Sequence, residues 1–384
     1  MASDLLPPVV VTSDDELRRL ISTLQAAPRL AVDTESNSLH AYRERVCLIQ
    51  VSTADADYLI DPLALTDLSP LAPLLANPAI EKVFHAAEYD LACLRRDFGF
   101  HVANLFDTRV AARTLGRTRT GLGDMLEEAF AVHLDKRNQR ANWGKRPLPP
   151  MLLDYARLDT HYLLRLRDRL ADELDQAGRT AEADEECQRV ATALAPATEN
   201  GEQAFWRITN ARKLSGPQAA ILRELHGERE AEARRRDCPP FKVLSDGALL
   251  AMAQAMPRTR AALEAVREVS PRARQRYGAE WLAAVRRGLE APAPLRPSHR
   301  NGDEASQARF QRLREWRRLA AAARGIESDL ILPRDMAWEI ARANPTDLDS
   351  LRRLMVPLET RFAAHGAAIL EALQNGAAGG ARHS

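Results

Sequence analysis

A chain of 384 residues is too long for one ordinary hydrophobic core, so two or three domains are expected. Apolar residues make up 45% and charged residues 28%, the balance of a soluble globular protein, and no run nears the roughly 18 apolar residues of a membrane span. Net charge is +1, but residues 1–200 hold 23 Lys and Arg against 31 Asp and Glu, while the remainder holds 31 against 22. An acidic half suited to metal is thus joined to a basic half suited to a polyanion. The amino terminus, Met-Ala-Ser-Asp-Leu-Leu-Pro-Pro, lacks the basic and apolar regions of a signal peptide. Cys47, Cys93, Cys187 and Cys238 have no paired spacing and read as reduced thiols of a cytoplasmic protein.

In chain order, Val9–Thr12 reads as a strand, and Ser13 as the cap of a helix from Asp14 to about Ala26. Strands are predicted at Leu30–Glu35, Val46–Ser52, Tyr58–Ile60 and Lys82–His85, with helices near Leu68–Leu75 and from Glu88 to Phe98. Strands followed by strand–helix alternation imply a mixed sheet covered by helices. From about Leu122 the strands cease. Met151 to Ala195 reads as helix broken near Gly178, and 196–204 as a linker. A helical block from Phe205 to Glu290 ends in a Pro-rich connector at 291–297. A second block spans about Gln307 to Leu373, before a Gly/Ala-rich tail expected to be disordered.

The segment Arg29-Leu-Ala-Val-Asp-Thr-Glu35 is an apolar strand with two carboxylates at its carboxyl end. Asp33 and Glu35 share one face, roughly 6–7 Å apart along the chain. Tyr155 and Asp159 stand four apart on a helix and so share a face too. Such acids suit phosphodiester hydrolysis, where two divalent ions about 4 Å apart serve the attacking and departing oxygens. Mg²⁺ or Mn²⁺ prefers carboxylate oxygen, and without metal the clustered acids repel one another. A further acid is offered by His85-Ala-Ala-Glu-Tyr-Asp90, where a strand gives way to a helix; both Glu88 and Asp90 are available. His85 reads as a hydrogen-bonded residue at the sheet end, and Asp107 as a helix cap.

The ordered set resembles the ribonuclease D family of the DEDD superfamily of 3′→5′ exonucleases, in its Tyr-bearing branch. The pieces are Val32-Asp33-Thr34-Glu35, Arg45-Val-Cys-Leu-Ile-Gln50, His85 with Asp90, and Leu105-Phe-Asp-Thr108. They continue with Lys136-x-x-Gln139-x-x-x-Trp143, Arg146-Pro-Leu, and Tyr155-Ala-x-x-Asp159, covering roughly residues 8–200. The resemblance implies an α/β mixed-sheet, RNase H-like exonuclease domain over 1–200. It also implies that Asp33, Glu35, Asp90 and Asp159 hold two Mg²⁺ or Mn²⁺ ions. Tyr155 then positions or helps deprotonate the attacking water, whereas His161 lies on another helix face. The family usually has Asp before the Trp; here Asn142 precedes Trp143, which bears on loop geometry or substrate fit.

The loop is locally basic. Lys136, Arg137, Arg140, Lys145 and Arg146 are candidate phosphate contacts, Gln139 a substrate contact by resemblance, and Trp143 either a base-stacking platform or a buried anchor. Further on, Phe241-Lys-Val-Leu-Ser-Asp-x-x-Leu-Leu250 with Pro257 resembles the small helical HRDC fold, and Leu330 to Pro345 a fainter second copy. Two all-α HRDC-like bundles, at 205–290 and 307–375, are therefore expected before a tail at 376–384. They either bind nucleic acid, through residues such as Arg207, Arg212, Lys213 and Arg234–Arg236, or shape the nuclease cleft. The expected activity is trimming the 3′ ends of structured RNA such as tRNA precursors, releasing nucleoside 5′-monophosphates. The expected state is a cytoplasmic monomer with RNA as its partner. The alternatives are a DNA exonuclease using the same metals and a non-catalytic RNA-binding adaptor.

Overall fold

The computed structural model describes residues 6–193, 203–297 and 303–374. Among them, six strands form one mixed sheet: β1 (Val9–Val11), β2 (Arg29–Ser36), β3 (Val46–Ser52), β4 (Asp57–Ile60), β5 (Glu81–Phe84) and β6 (Leu105–Asp107). Their order across the sheet is β1-β4-β3-β2-β5-β6. β2 pairs parallel with β5 and β5 with β6, whereas β3 and β4 run antiparallel. The acid-bearing strand β2 is therefore central, and Leu30, Ala31 and Val32 are fully buried. This is the continuous apolar run expected of a strand covered on both faces.

Helices α1 (Asp14–Gln25), α2 (Leu71–Ala76) and α3 (Glu88–Phe98) pack with Leu30 and Val32. α1 opens on a capping box in which Ser13 and Glu16 satisfy each other's backbone N–H groups. On the opposite face, Ala31 and Val83 meet α4 (Thr108–Thr114), α5 (Leu122–Phe130) and, beyond α6 (Pro150–His161), α7 (Leu163–Gln176). α6 covers β3 and β4 through Leu152 and Ala156, which pack with Leu48 and Leu59. α8 (Thr180–Thr192) follows a left-handed Gly178, the predicted break. A second interruption at Tyr162, which the sequence reading ran through, separates α6 from α7.

The helical remainder comprises α9 (Gly216–Arg235), α10 (Asp246–Ala255), α11 (Arg260–Glu264) and α12 (Pro271–Glu290), then α13 (Glu304–Arg324), α14 (Ser328–Ile331), α15 (Arg334–Ala343), α16 (Leu348–Leu354) and α17 (Glu359–Gln374). In the first bundle Gly288 lets α12 approach α9 closely, since a Cβ there would stand 2.5 Å from the Ile221 Cα. α10 and α15 have ten residues each and both end in left-handed caps, Met256 and Asn344, followed by Pro257 and Pro345. That parallel is the structural counterpart of the faint repeat.

The compact units do not follow chain order. Among the described residues, one unit holds the sheet, α1–α8 and also α13–α17, while the other holds Ser36–Arg45 with α9–α12. Most of the predicted 196–204 linker and the predicted 376–384 tail lie outside the described residues.

Candidate active site

The carboxyl end of β2 gathers the predicted acids. Asp33 and Glu35 stand on β2, half-buried, and Asp159 reaches them from α6 one turn after Tyr155. Asp90, 7% exposed, enters from the first turn of α3 and accepts a hydrogen bond from the Thr34 hydroxyl. Glu88, the alternative acid, is exposed to solvent. Burial first, and the charges of neighbouring carboxylates second, raise the pKa of all four. Burial, followed by the charges of Asp90, Asp159 and Glu35, holds Asp33 well above the usual carboxylate range. Burial and then Asp159 and Asp90 push Glu35 up to about 9. Burial lifts Asp90 and Asp159 each to about 7, and Asp90 contributes to the rise at Asp159.

The entry of α3 is built by Asp107. Its carboxylate accepts from the backbone N–H of Arg109 and Val110, the predicted capping, and also from Ala86 (3.0 Å) and Ala87 (2.7 Å). Ala86 is held left-handed, φ +61°, an unusual conformation for alanine. One buried carboxylate thus sets the start of two helices and, through α3, the place of Asp90. Sequence spacing revealed the cap but not the second grip, which joins residues twenty apart. Thr34 was also missed as a support, because alternation turned it away from Asp33 and Glu35 toward the core.

Tyr155 is half-buried beside the acids, and burial followed by Asp159 and Glu35 drives its phenol far above its usual range, so it is present as a hydroxyl. Behind it lies Trp143, with ring centroids 6.0 Å apart. At 1% exposure Trp143 offers no face to a base; the stacking expectation gives way to the anchor, because its ring completes the core between α6 and β3. Arg146 is likewise committed. Its guanidinium pairs with both oxygens of Asp61 and donates to the carbonyls of Cys47, Trp143 and Lys145, which corrects its expected role in meeting phosphate. Asn142 accepts from the Gly144 N–H at 3.1 Å, a turn that either Asn or Asp can close. Gln139, Arg140 and Lys145 are exposed; the Lys136 side chain lies outside the described residues.

His85 and His161 are each engaged with other partners. His85 Nδ1 is 2.9 Å from the Thr108 hydroxyl, and burial lowers the ring to about 4, so it is neutral. His161 meets Asp57 at the edge of β4, 2.9 Å away. In the first bundle Arg235 pairs with Glu232, Arg236 donates to the Tyr277 hydroxyl, and Arg234 lies over the Tyr42 ring, so these three arginines are tied within their own unit.

Among the described residues no three His, Cys, Asp or Glu side chains form a ready-made ion cage. The donor set itself nonetheless fits a hard divalent cation. All four groups are carboxylates, and among the described residues none is in an ion pair with Lys, Arg or His. Crowded, partly buried carboxylates of one sign without a counter-charge suit a divalent metal.

Family comparison settles the class. The 3′-5′ exonuclease model matches residues 8–175, and the HRDC domain model matches 218–285 and 306–373. The chain is 33% identical over 300 residues to Ribonuclease D of Granulibacter bethesdensis, covering 76% of this chain and 75% of that one. The chain belongs to the ribonuclease D family. It carries the family's 3′→5′ exoribonuclease domain, and the family is divalent-metal dependent. The solved structure of Escherichia coli RNase D, described as an exoribonuclease involved in structured RNA processing, superposes with a TM-score of 0.70 at 29% identity. That match covers 96% of this chain and 99% of the other. A Caenorhabditis elegans exosome complex component 10 homolog is 35% identical over 259 residues, but the match spans only 29% of that longer protein.

Proposed function

We propose that this chain trims the 3′ ends of structured RNA, tRNA precursors among them, and releases nucleoside 5′-monophosphates. The observation that carries the reading is the set of four carboxylates at the end of β2, without cationic partners among the described residues, with Tyr155 one helical turn before Asp159, in a ribonuclease D family member. Asp33, Glu35, Asp90 and Asp159 would hold two divalent ions, Mg²⁺ or Mn²⁺. Bound there, such ions supply activated water and stabilise the departing 3′ oxygen.

The chain's own residues do the remainder. Thr34 and Asp107 fix Asp90, α6 carries Tyr155 and Asp159 together, and Trp143 backs the phenol. The Tyr155 hydroxyl orients the attacking water by hydrogen bonding. The exposed residues of the 136–146 loop, Gln139 and Arg140 among them, remain candidates for RNA contact at its rim. Four free cysteines suit a reducing compartment, and we assign the cytoplasm, with the monomer as working unit.

The test strips the protein with chelator, then restores Mg²⁺ or Mn²⁺ in the presence of matched RNA and DNA oligonucleotides. Nucleoside 5′-monophosphates released from RNA only after metal is restored support the reading. Release chiefly from DNA would overturn the substrate, since the acids do not sense the 2′-hydroxyl. Tight, salt-sensitive RNA binding without any product would make the chain an adaptor.

A further inference from the structure

Gln50, in the Arg45–Gln50 motif, has no task in the site described so far. It lies in the interior of β3 and is fully buried (0% exposed), and among the described residues neither its amide nitrogen nor its amide oxygen has a hydrogen-bond partner. A buried amide left unpaired lowers stability, and native chains hold few of them.

Its surroundings say what the amide is for. β3 lies between β4 and the acid-bearing β2. Leu48, Gln50 and Ser52 alternate onto one face of β3. Leu48 packs with Leu152 and Ala156 of α6, and the Ser52 hydroxyl is 2.7 Å from that of Thr160. Gln50 is thus held beneath α6 between those two contacts. Tyr155 and Asp159 are the residues next to Ala156 and Thr160 on that helix.

The supports seen at the acids are also neutral. The Thr34 hydroxyl donates to Asp90, and the Thr34 N–H supports Asp33. A neutral donor orients a carboxylate without cancelling the charge a cation needs, whereas Lys or Arg would compete with the metal. Gln50 is a further neutral donor on the face that α6 covers, and it is unspent.

We propose that Gln50 is a positioning residue of the acidic site. Its amide N–H donates to the carboxylates as they converge on a divalent cation, with Asp159 on the overlying helix foremost. The inference rests on the metal-site reading above.

The test compares wild type with Gln50→Met, which keeps the length and removes the polar atoms, and with Gln50→Leu. Three quantities are read: Tm of the chelated protein, Mn²⁺ binding by the electron paramagnetic resonance of the free ion, and turnover of a 3′-extended RNA. The expected result is an unchanged or higher chelated Tm, Mn²⁺ binding weakened about tenfold or more, and a similar fall in kcat with KM for RNA unchanged. Wild-type Mn²⁺ affinity and kcat in both variants would overturn the proposal. So would a lower chelated Tm in both, because the amide would then already serve the fold. Wild type that neither binds Mn²⁺ nor shortens RNA would remove the metal site itself, and the inference with it.

Discussion

Asp33, Glu35, Asp90 and Asp159 are held in a state that the folded, metal-free chain resists. In the unfolded chain they titrate at ordinary values, whereas in the fold Asp90 and Asp159 rise to about 7 and Glu35 to about 9. Across that window the native state binds more protons than the unfolded one, so its stability falls as pH rises. Calorimetry of chelated protein from about pH 5 to 8 should show Tm declining, with Mg²⁺ restoring most of the loss at the upper end. A flat or rising Tm would contradict the clustered-acid reading. Tyr155→Phe keeps the ring over Trp143 and deletes only the hydroxyl, so kcat should fall by about 10- to 100-fold with metal affinity unchanged. Metal loss comparable to that of Asp159→Ala would make Tyr155 structural. At this scale the sequence was informative wherever periodicity governed: two acids on a strand, a phenol and an acid on a helix. It was silent on Thr34 and on the amide of Gln50, whose importance depends on what faces them from other elements.

The connections between elements, more than the elements themselves, decide where Asp90 sits. Strand and helix spans followed from apolar runs and the Ser13 cap, but the junction from β5 to α3 depends on a carboxylate in the next β–α junction. Asp107→Ala removes acceptors for four backbone N–H groups and should cost about 3 kcal/mol in denaturant unfolding. It should also lower turnover, since Asp90 rides on α3; unchanged stability would show that the grip is dispensable. The 136–146 loop misled the reading for a related reason. A run of basic residues beside a Trp looks like a nucleic-acid surface until Asp61, fifteen residues past β3's start and far from the loop in sequence, claims Arg146.

The second helical bundle is joined to the nuclease, a relation no local pattern announces. Arg361 of α17, 3% exposed, pairs with Glu185 at 3.1 Å and Glu186 at 2.6 Å, both on α8 and both buried. Arg324 pairs with Glu182, and Arg113 of α4 with Glu327 and Asp329. Arg361→Ala leaves two buried carboxylates without that partner and should lower unfolding stability by about 3–5 kcal/mol. Adding Glu185→Gln and Glu186→Gln should recover much of the loss, and a chevron or urea titration of the three variants would show it. Equal stability of Arg361→Ala and wild type would mean that the bundle is not fastened through this triad. Chain order suggested a nuclease followed by two HRDC-like bundles, the second a fainter copy; the charge buried across α8 and α17 is what joins that second bundle to the nuclease unit.

The most direct measurement follows a 5′-labelled, 3′-extended tRNA incubated with wild type and with Asp33→Asn in Mg²⁺. Wild type should shorten it from the 3′ end. Asp33→Asn, which removes one carboxylate's charge while keeping its shape, should be slower by about 10³-fold or more, roughly 4 kcal/mol in the barrier, and should still bind the RNA. Near-normal shortening by Asp33→Asn would contradict the assignment of the four acids as the catalytic centre.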